Sequence, residues 1–355
     1  MASEVTIRLS AVTDVGRART TNEDAFAVTD LASGRPIGGE TPVEIQERGV
    51  LLALSDGMGG HQAGEVASAL VLESLQASLQ TETAGPIHEQ LEEGVQRANK
   101  SVKSAATTRS RHRMGATLTA VLVRGAEAYI AEVGDSRGYL LRNGRLRQIT
   151  RDQSLVQMLI DQGVLSPEEA KRAPGKNVIL QAVGLDDDVR VAIARLELRR
   201  GDRFLLCSDG VTNAISDDEL RQILTDSEPR AACETMIALA NDRGGNDNQT
   251  AIVADLAGAG IELPDEFETV TSTYEVLKAY EATLDGRPVT AQDAHLAAQA
   301  VGAAAAPAPV VEREPSEPEI AISPATDDRK RSHASIMIAV GVILIAAAVA
   351  AWVAW

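Results

Sequence analysis

Two apolar runs in this chain end on the same three residues. Residues 51–54 climb to Ser55-Asp56-Gly57, and residues 204–207 climb to Ser208-Asp209-Gly210. An aspartate followed by glycine at the end of an apolar run has two uses. It can make a turn, which is the ordinary role of Asp-Gly. It can also offer carboxylate oxygen to a cation, with the glycine letting the backbone come close. One copy alone is satisfied by the turn. Three more acidic stretches keep these two company. They are Arg19-Thr20-Thr21-Asn22-Glu23-Asp24, Gly134-Asp135-Ser136, and Gly244-Gly245-Asn246-Asp247 ahead of another apolar run. Each also reads as a plain loop, and Asn143-Gly144 soon after Asp135 is a hairpin turn. Together they place Asp24, Asp56, Asp135, Asp209 and Asp247 at strand termini. An oxygen-only ligand set of that kind suits Mg2+ or Mn2+.

Other chemistries fit less well. His61, His88, His112, His295 and His333 show no metal-ligand spacing, and Cys207 and Cys233 make no cluster, so zinc is disfavoured. No arginine closes a phosphate loop after Cys207. The glycines at 57–60 are not followed by the Gly-Lys-Ser/Thr of a P-loop.

The elements that must position these residues can be read from periodicity. Strand patterns fall at 5–12, 50–54, 116–123, 128–133, 138–141, 189–196, 203–207 and 250–255. Helical spacing appears at 64–79, 90–106, 155–162, 217–224 and 230–242. Strands arrive in clusters instead of alternating singly with helices. That predicts an α+β fold, with antiparallel sheets and segregated helices. The chain has 355 residues, 44% hydrophobic, enough for a substantial core. A net charge of −17 and only 3% aromatic residues argue against nucleic-acid binding. Both cysteines read as small buried hydrophobes in a reducing compartment. No signal peptide is expected at the start, because the first residues already alternate like a strand.

Three regions are expected: a globular domain over 1–256, a largely disordered tether over 257–333, and a membrane helix over 334–355. Residues 274–284 read as one helix, and 303–328 are rich in Ala, Pro and Glu. Residues 334–355 carry no charge, and about 20 apolar residues suffice to cross a bilayer as a helix. Arg329-Lys330-Arg331 flank that stretch, which places the preceding chain on the cytoplasmic side of the membrane. With nothing after it in this sequence, insertion is expected to follow translation.

In this order, the motifs R-x-x-N-E-D, S-D-G-M-G-G, M-G-A-T, G-D-S-R, C-S-D-G-V and N-D-N-Q-T resemble the metal-dependent protein phosphatases of the PPM family, the type 2C serine/threonine phosphatases, in their bacterial form. The likeness covers about residues 5–255. It implies an αββα sandwich, two antiparallel sheets flanked by helices with metals in a cleft at one edge. It also implies hydrolysis of phosphoserine and phosphothreonine in proteins by a hydroxide bridging two Mn2+ or Mg2+ ions. Asp56 would bridge those ions, with the Gly57 carbonyl completing one. Asp209 and Asp247 would hold the other. Glu23 and Asp24 would act through bound waters. Asp135, with Asp209, would bind a third ion, and Arg19 would grip the substrate phosphate. Partners implied are phosphorylated proteins, membrane serine/threonine kinases and their substrates among them. Two other readings stay open: a dedicated phosphatase of one regulatory phosphoprotein, and a catalytically silent phosphoprotein-binding module.

The sequence departs from the family pattern in places. Met58 stands where eukaryotic members carry a histidine proposed as the acid, and His61 is a candidate substitute or simply a surface residue. Gln153 replaces a usual histidine, and Leu180-Gln181 replaces a usual Thr-Arg. Both lie within 151–184, the flap region that shapes substrate choice in the family. The basic cluster at 109–113 reads as a solvated loop or as a docking patch for acidic phosphosegments.

Overall fold

The structure is a computed structural model that describes residues 5–59, 62–81, 84–108, 114–284 and 287–305. His61, the basic cluster at 109–113 and the expected membrane stretch at 334–355 lie outside the described residues. Among the described residues, no helix is long and apolar enough to cross a membrane.

The chain opens with β1 (Val5–Asp14), β2 (Asp24–Asp30), β3 (Arg35–Pro36), β4 (Gly39–Glu44) and β5 (Val50–Met58). Two long helices follow, α1 (Gln62–Thr81) and α2 (Ile87–Thr108). Next come β6 (Gly115–Ala116), β7 (Leu118–Arg124), β8 (Glu127–Val133), β9 (Arg137–Arg142) and β10 (Arg145–Gln148). Two short helices, α3 (Leu155–Asp161) and α4 (Pro167–Ala170), precede β11 (Ala192–Glu197) and β12 (Arg203–Cys207). Then come α5 (Asp209–Thr212), α6 (Asp217–Asp226), α7 (Pro229–Asp242) and β13 (Gln249–Gly258). The last elements are β14 (Tyr274–Lys278), β15 (Thr283–Leu284), β16 (Arg287–Pro288) and α8 (Ala291–Ala305).

The described residues divide into two compact units, one running to residue 154 and resuming over 179–281, the other made of 155–178 and the described residues from 282 to 305. The first holds two antiparallel sheets. One runs β10-β9-β12-β13-β1-β4, the other β14-β11-β8-β7-β5-β2-β3, with β6 paired to β5. Strand alternation explains the layering. On β5, Val50, Leu52 and Leu54 face a core shared with Leu206, Ile252 and Ala254 of the other sheet. Leu51 and Ala53 face the opposite way, against Val71 and Leu75 of α1 and Val95 of α2. Leu205 and Cys207 of β12 likewise meet Leu220 of α6 and Met236 of α7. Strands apolar on both faces, with helices covering each outer face, give helix, sheet, sheet, helix. The expected antiparallel sheets and segregated helices are therefore present. Cys207 and Cys233 are buried and unbridged, and burial pushes the Cys233 thiol up to about 12.

The second unit holds α3, α4, the β15–β16 pair and α8. α4 opens with a reciprocal Ser166–Glu169 capping box, and Val301 of α8 is buried.

Two expectations need correction. The stretch 274–284 is not a helix: Tyr274–Lys278 pairs with β11 as an edge strand. The reason is the open edge of β11, which rewards strand pairing, whereas a short isolated helix is marginal. The tether expected from residue 257 is structured as far as Ala305, through β14, the β15–β16 pair and α8. The Ala-rich composition at 291–305 suits a helix as well as it suits a tether.

Candidate metal and phosphate site

The site forms where strand ends of both sheets converge. Asp24 is the first residue of β2. Asp135 follows the end of β8, Asp209 follows β12 at the start of the short helix α5, and Asp247 sits just before β13. Asp56 differs from the expected strand end. β5 continues through Asp56 and Gly57, because Gly57 pairs with Ala116 and Met58 with Gly115 of β6. The break between β6 and β7 falls at Thr117. There the Asp56 N–H donates to the Thr117 hydroxyl (2.9 Å), and the Thr117 N–H donates to the Asp56 carbonyl (2.8 Å).

The β2–β5 register puts Asp24 directly opposite Asp56. Like charges facing across a strand pair repel, so the sheet supports this arrangement at a cost. The electrostatics agree. Burial pushes Asp24 up to about 6, against hydrogen bonds with Thr250, Ser208 and Asp56 that pull it down and with repulsion from Asp247. Asp209 is pushed up to about 7 by burial and then by Asp247 and Asp24. Asp56 is held well above the carboxylate range by burial and by repulsion from Asp24, Asp209, Asp135 and Asp247. Burial and then Asp209 do the same to Asp135. These groups therefore lie within one another's fields.

Residues to which the sequence assigned no role of their own hold them in place. Asp24 Oδ2 accepts hydrogen bonds from the Ser208 and Thr250 hydroxyls, each 2.7 Å long. Asp24 Oδ1 is buried and, among the described residues, has no hydrogen-bond partner. Asn248 clamps the loop that carries Glu23. Its Oδ1 accepts the Glu23 N–H (2.8 Å), and its Nδ2 donates to the Val15 and Thr21 carbonyls (2.9 Å each). The Glu23 carbonyl takes the Gly57 N–H (3.1 Å) and the Ser68 hydroxyl (2.6 Å). This joins β2, β5 and the start of α1. Gly57 is obligatory there, since a Cβ would lie 2.1 Å from the Gly64 carbonyl oxygen. The one signal for these partners is that Ser208 lies within C-S-D-G-V, and Asn248 and Thr250 within N-D-N-Q-T.

Arg19 stands at the rim, half exposed, with Nη2 2.9 Å from Asp247 Oδ2. Asp247 Oδ1 accepts the Asn248 N–H (2.9 Å), and Asn213 Nδ2 donates to Asp209 Oδ2 (3.0 Å). Among the described residues, no three His, Cys, Asp or Glu side chains form a closed ligand set as they stand. The chemistry of the donors weighs more than that geometry. Acidic oxygens sharing a desolvated space, one of them an orphaned carboxylate oxygen, fit divalent cations bound through oxygen.

Comparison with known proteins agrees. Residues 11–158 match the family described as protein phosphatase 2C. The serine/threonine protein phosphatase PstP of Mycobacterium tuberculosis is 38% identical over 251 residues, 70% of this chain and 45% of that protein. The chain thus matches about half the length of that relative. The serine/threonine phosphatase stp of Listeria monocytogenes is 36% identical over 249 residues, which is 68% of this chain and 93% of the relative. Among solved structures, the catalytic domain of PstP in complex with two manganese ions is 37% identical with a TM-score of 0.60, covering 71% of this chain and 99% of that one. The family match takes in Asp24, Asp56 and Asp135, and on these likenesses the chain belongs to the protein phosphatase 2C family.

Proposed function

We propose that this chain is a metal-dependent phosphatase of phosphoserine and phosphothreonine in proteins. The observation that carries the reading is the cross-strand pair Asp24–Asp56, with Asp24 buried, Asp56 half-buried and Asp135, Asp209 and Asp247 close enough to act on them. Asp56, Asp209 and Asp247, with the Gly57 carbonyl, would hold two Mn2+ or Mg2+ ions. Glu23 and Asp24 would act through waters, and Asp135 with Asp209 would take a third ion. Such ions supply a water made nucleophilic at neutral pH and positive charge for the phosphoryl oxygens.

The chain's own residues do the rest. Asp56 sets the spacing of the site because its strand is paired on both sides, to β2 and to β6. Ser208 and Thr250 fix the Asp24 rotamer by gripping one oxygen. Arg19 presents a planar guanidinium at the rim, suited to two phosphate oxygens at once. Its present partner is Asp247, so Arg19 and a cation compete for the same carboxylate. With a cation held at Asp247, the Arg19 guanidinium would be available to a substrate phosphate.

We extend the reading to location. The uncharged stretch 334–355, flanked by basic residues, would anchor the chain with the catalytic domain on the cytoplasmic side. Membrane serine/threonine kinases and their substrates would then be favoured by raised effective concentration. Phosphate release from a phosphothreonine peptide by the full-length chain tests the reading. Activity should require Mn2+, stop with chelator and be absent in Asp209→Ala. A folded, Mn2+-binding chain with no turnover would favour the silent binding module.

A further inference from the structure

The two departures at 153 and 181 touch each other. The Gln181 side-chain amide donates to Gln153 Oε1 (2.7 Å), and both side chains are buried. Gln153 Oε1 also accepts the Gly134 N–H (2.8 Å), while its Nε2 donates to the Glu132 carbonyl (3.2 Å). Its backbone N–H bonds the Gly134 carbonyl (2.8 Å). Gln153 therefore grips the turn residue next to Asp135 from both sides of its peptide unit. Gln181 is fixed in turn by the Arg190 backbone. Its Nε2 donates to the Arg190 carbonyl (2.6 Å) and its Oε1 accepts the Arg190 N–H (3.1 Å).

The turn has little slack. Gly134 takes φ +106, which favours glycine, and a Cβ there would lie 2.7 Å from Thr117 Cγ2. Thr117 is the residue whose hydroxyl accepts the Asp56 N–H. Gln153 and Gln181 also mark the points where segment 155–178 leaves and re-enters this unit. Ser154 bridges Ile179 there, and the Leu180 N–H bonds the Gln153 carbonyl (2.8 Å).

We propose that the buried Gln153–Gln181 amide pair is a positioning device that fixes the Gly134–Asp135 turn, so that the cation affinity of Asp135 depends on how the two ends of segment 155–178 are held together. Gln153 acts directly on the turn, and Gln181 acts through Gln153. This rests on Asp135 holding a cation as proposed above.

The test is Mn2+ titration of the full-length chain by calorimetry, in wild type, Gln153→Leu, Gln181→Leu, the double variant and Asp135→Asn. Leucine keeps the bulk and removes the amide. Outer-shell partners of metal ligands typically set affinity by 10–100-fold. Gln153→Leu should weaken the weakest Mn2+ step about tenfold and leave the tighter steps unchanged. Gln181→Leu should weaken it about threefold. The double variant should match Gln153→Leu, because both act along one chain of bonds. In an Asp135→Asn background, Gln153→Leu should add nothing. A purely structural role predicts an added loss in that background, and that result overturns the proposal. A wild-type Mn2+ profile in folded Gln153→Leu overturns it too. If Gln153→Leu does not fold, Gln181→Leu decides alone, since it leaves the Gly134 bonds in place. Identical titrations of wild type and Asp135→Asn would instead show that Asp135 holds no cation, removing the reading and the proposal together.

Discussion

Two places in this molecule bury charge, and they do it in opposite ways. Arg142 is 2% exposed and spends its guanidinium donors on named acceptors. Nε and Nη2 take the two Asp202 oxygens (2.7 and 2.6 Å), and Nη1 takes Thr273 Oγ1 (2.7 Å) and Glu268 Oε1 (3.2 Å). Nη2 also reaches the Glu197 carbonyl (3.0 Å). The acidic cluster around Asp56 has no such balance. Burial and neighbouring carboxylates raise the pKa of Asp24, Asp56, Asp135 and Asp209, and Arg19 is tied to Asp247 at the rim. A satisfied ion pair explains itself as structure. A group of like charges that raises its own cost needs an outside partner, and that difference locates the site.

The sharpest way to break the comparison is Asp56→Asn. It removes one repelling charge and the bridging carboxylate together. Turnover should fall at least about a thousandfold, the loss of several kcal/mol of charge stabilisation. The metal-free protein should melt no lower than wild type, and above pH 7 it should melt higher. Lower melting with intact turnover would show that Asp56 is a structural residue like Asp202.

Arg142→Met is the mirror experiment. It strands the buried Asp202 without its cation, while Glu268 keeps Arg199 (2.9 Å), so stability should fall by about 3–5 kcal/mol. Denaturant unfolding of the chain reads that loss. Mn2+ affinity, measured on the folded fraction, should not move. A matching loss of Mn2+ affinity would mean that the two regions are coupled and the contrast between them false.

The comparison also explains what the sequence could disclose. Asp24, Asp56, Asp135, Asp209 and Asp247 were legible because carboxylates at the edges of apolar runs are costly and therefore conspicuous. β12 at Arg203–Cys207 was legible in full, since a short apolar run between turns can do little else. β2 was missed. Its sequence, DAFAVTD, is short and begins at the acidic motif, and only its pairing with β5 makes it a strand. Arg142 was illegible for a different reason. Its partners Asp202, Glu268 and Thr273 are distant in sequence and carry no periodic signal. The Tyr274–Lys278 strand depends likewise on the open edge of β11. Local patterning reports burial and period, while the choice of partner is tertiary.

Chelation should expose the like-charge cost directly. Asp24 and Asp209 have folded pKa values of about 6 and 7, above their unfolded values near 4. Acids raised on folding bind protons more tightly in the native state. The contribution of these two acids to metal-free stability should therefore be full below about pH 4 and be lost as pH rises through 6 and 7. Mn2+ should reverse the decline, by about 3 kcal/mol at a hundredfold excess over Kd, and release protons as it binds. Melting scans across pH with and without chelator check the sign. A metal-free protein that gains stability towards pH 7 would contradict the raised pKa values.

A smaller effect is expected at Ser208→Ala. Asp24 Oδ2 keeps Thr250 but loses one hydroxyl, and the Thr250 N–H loses its acceptor (3.0 Å). The Asp24 carboxyl should titrate higher, and Mn2+ affinity should fall about tenfold, more at pH 6 than at pH 8. Equal losses at both pH values would mean that Ser208 acts through packing alone.

The smallest effect belongs to Glu132, which tests whether a buried carboxylate must be part of the site. It is 3% exposed, and burial holds it well above its usual range even though both its oxygens face the Arg151 N–H (2.9 and 3.1 Å). A raised acid contributes stability at low pH that is lost as pH rises from its unfolded value near 4.5. Glu132→Gln keeps an oxygen for the Arg151 N–H and cannot ionise. At pH 8 it should therefore be more stable than wild type by about 1–2 kcal/mol, with no gain at pH 4. Turnover at saturating Mn2+ should stay at the wild-type level. A loss of turnover would place Glu132 with Asp56, as a carboxylate kept at a cost for chemistry; unchanged turnover with a flatter stability profile would leave it on the side of Asp202, a charge the fold contains without using.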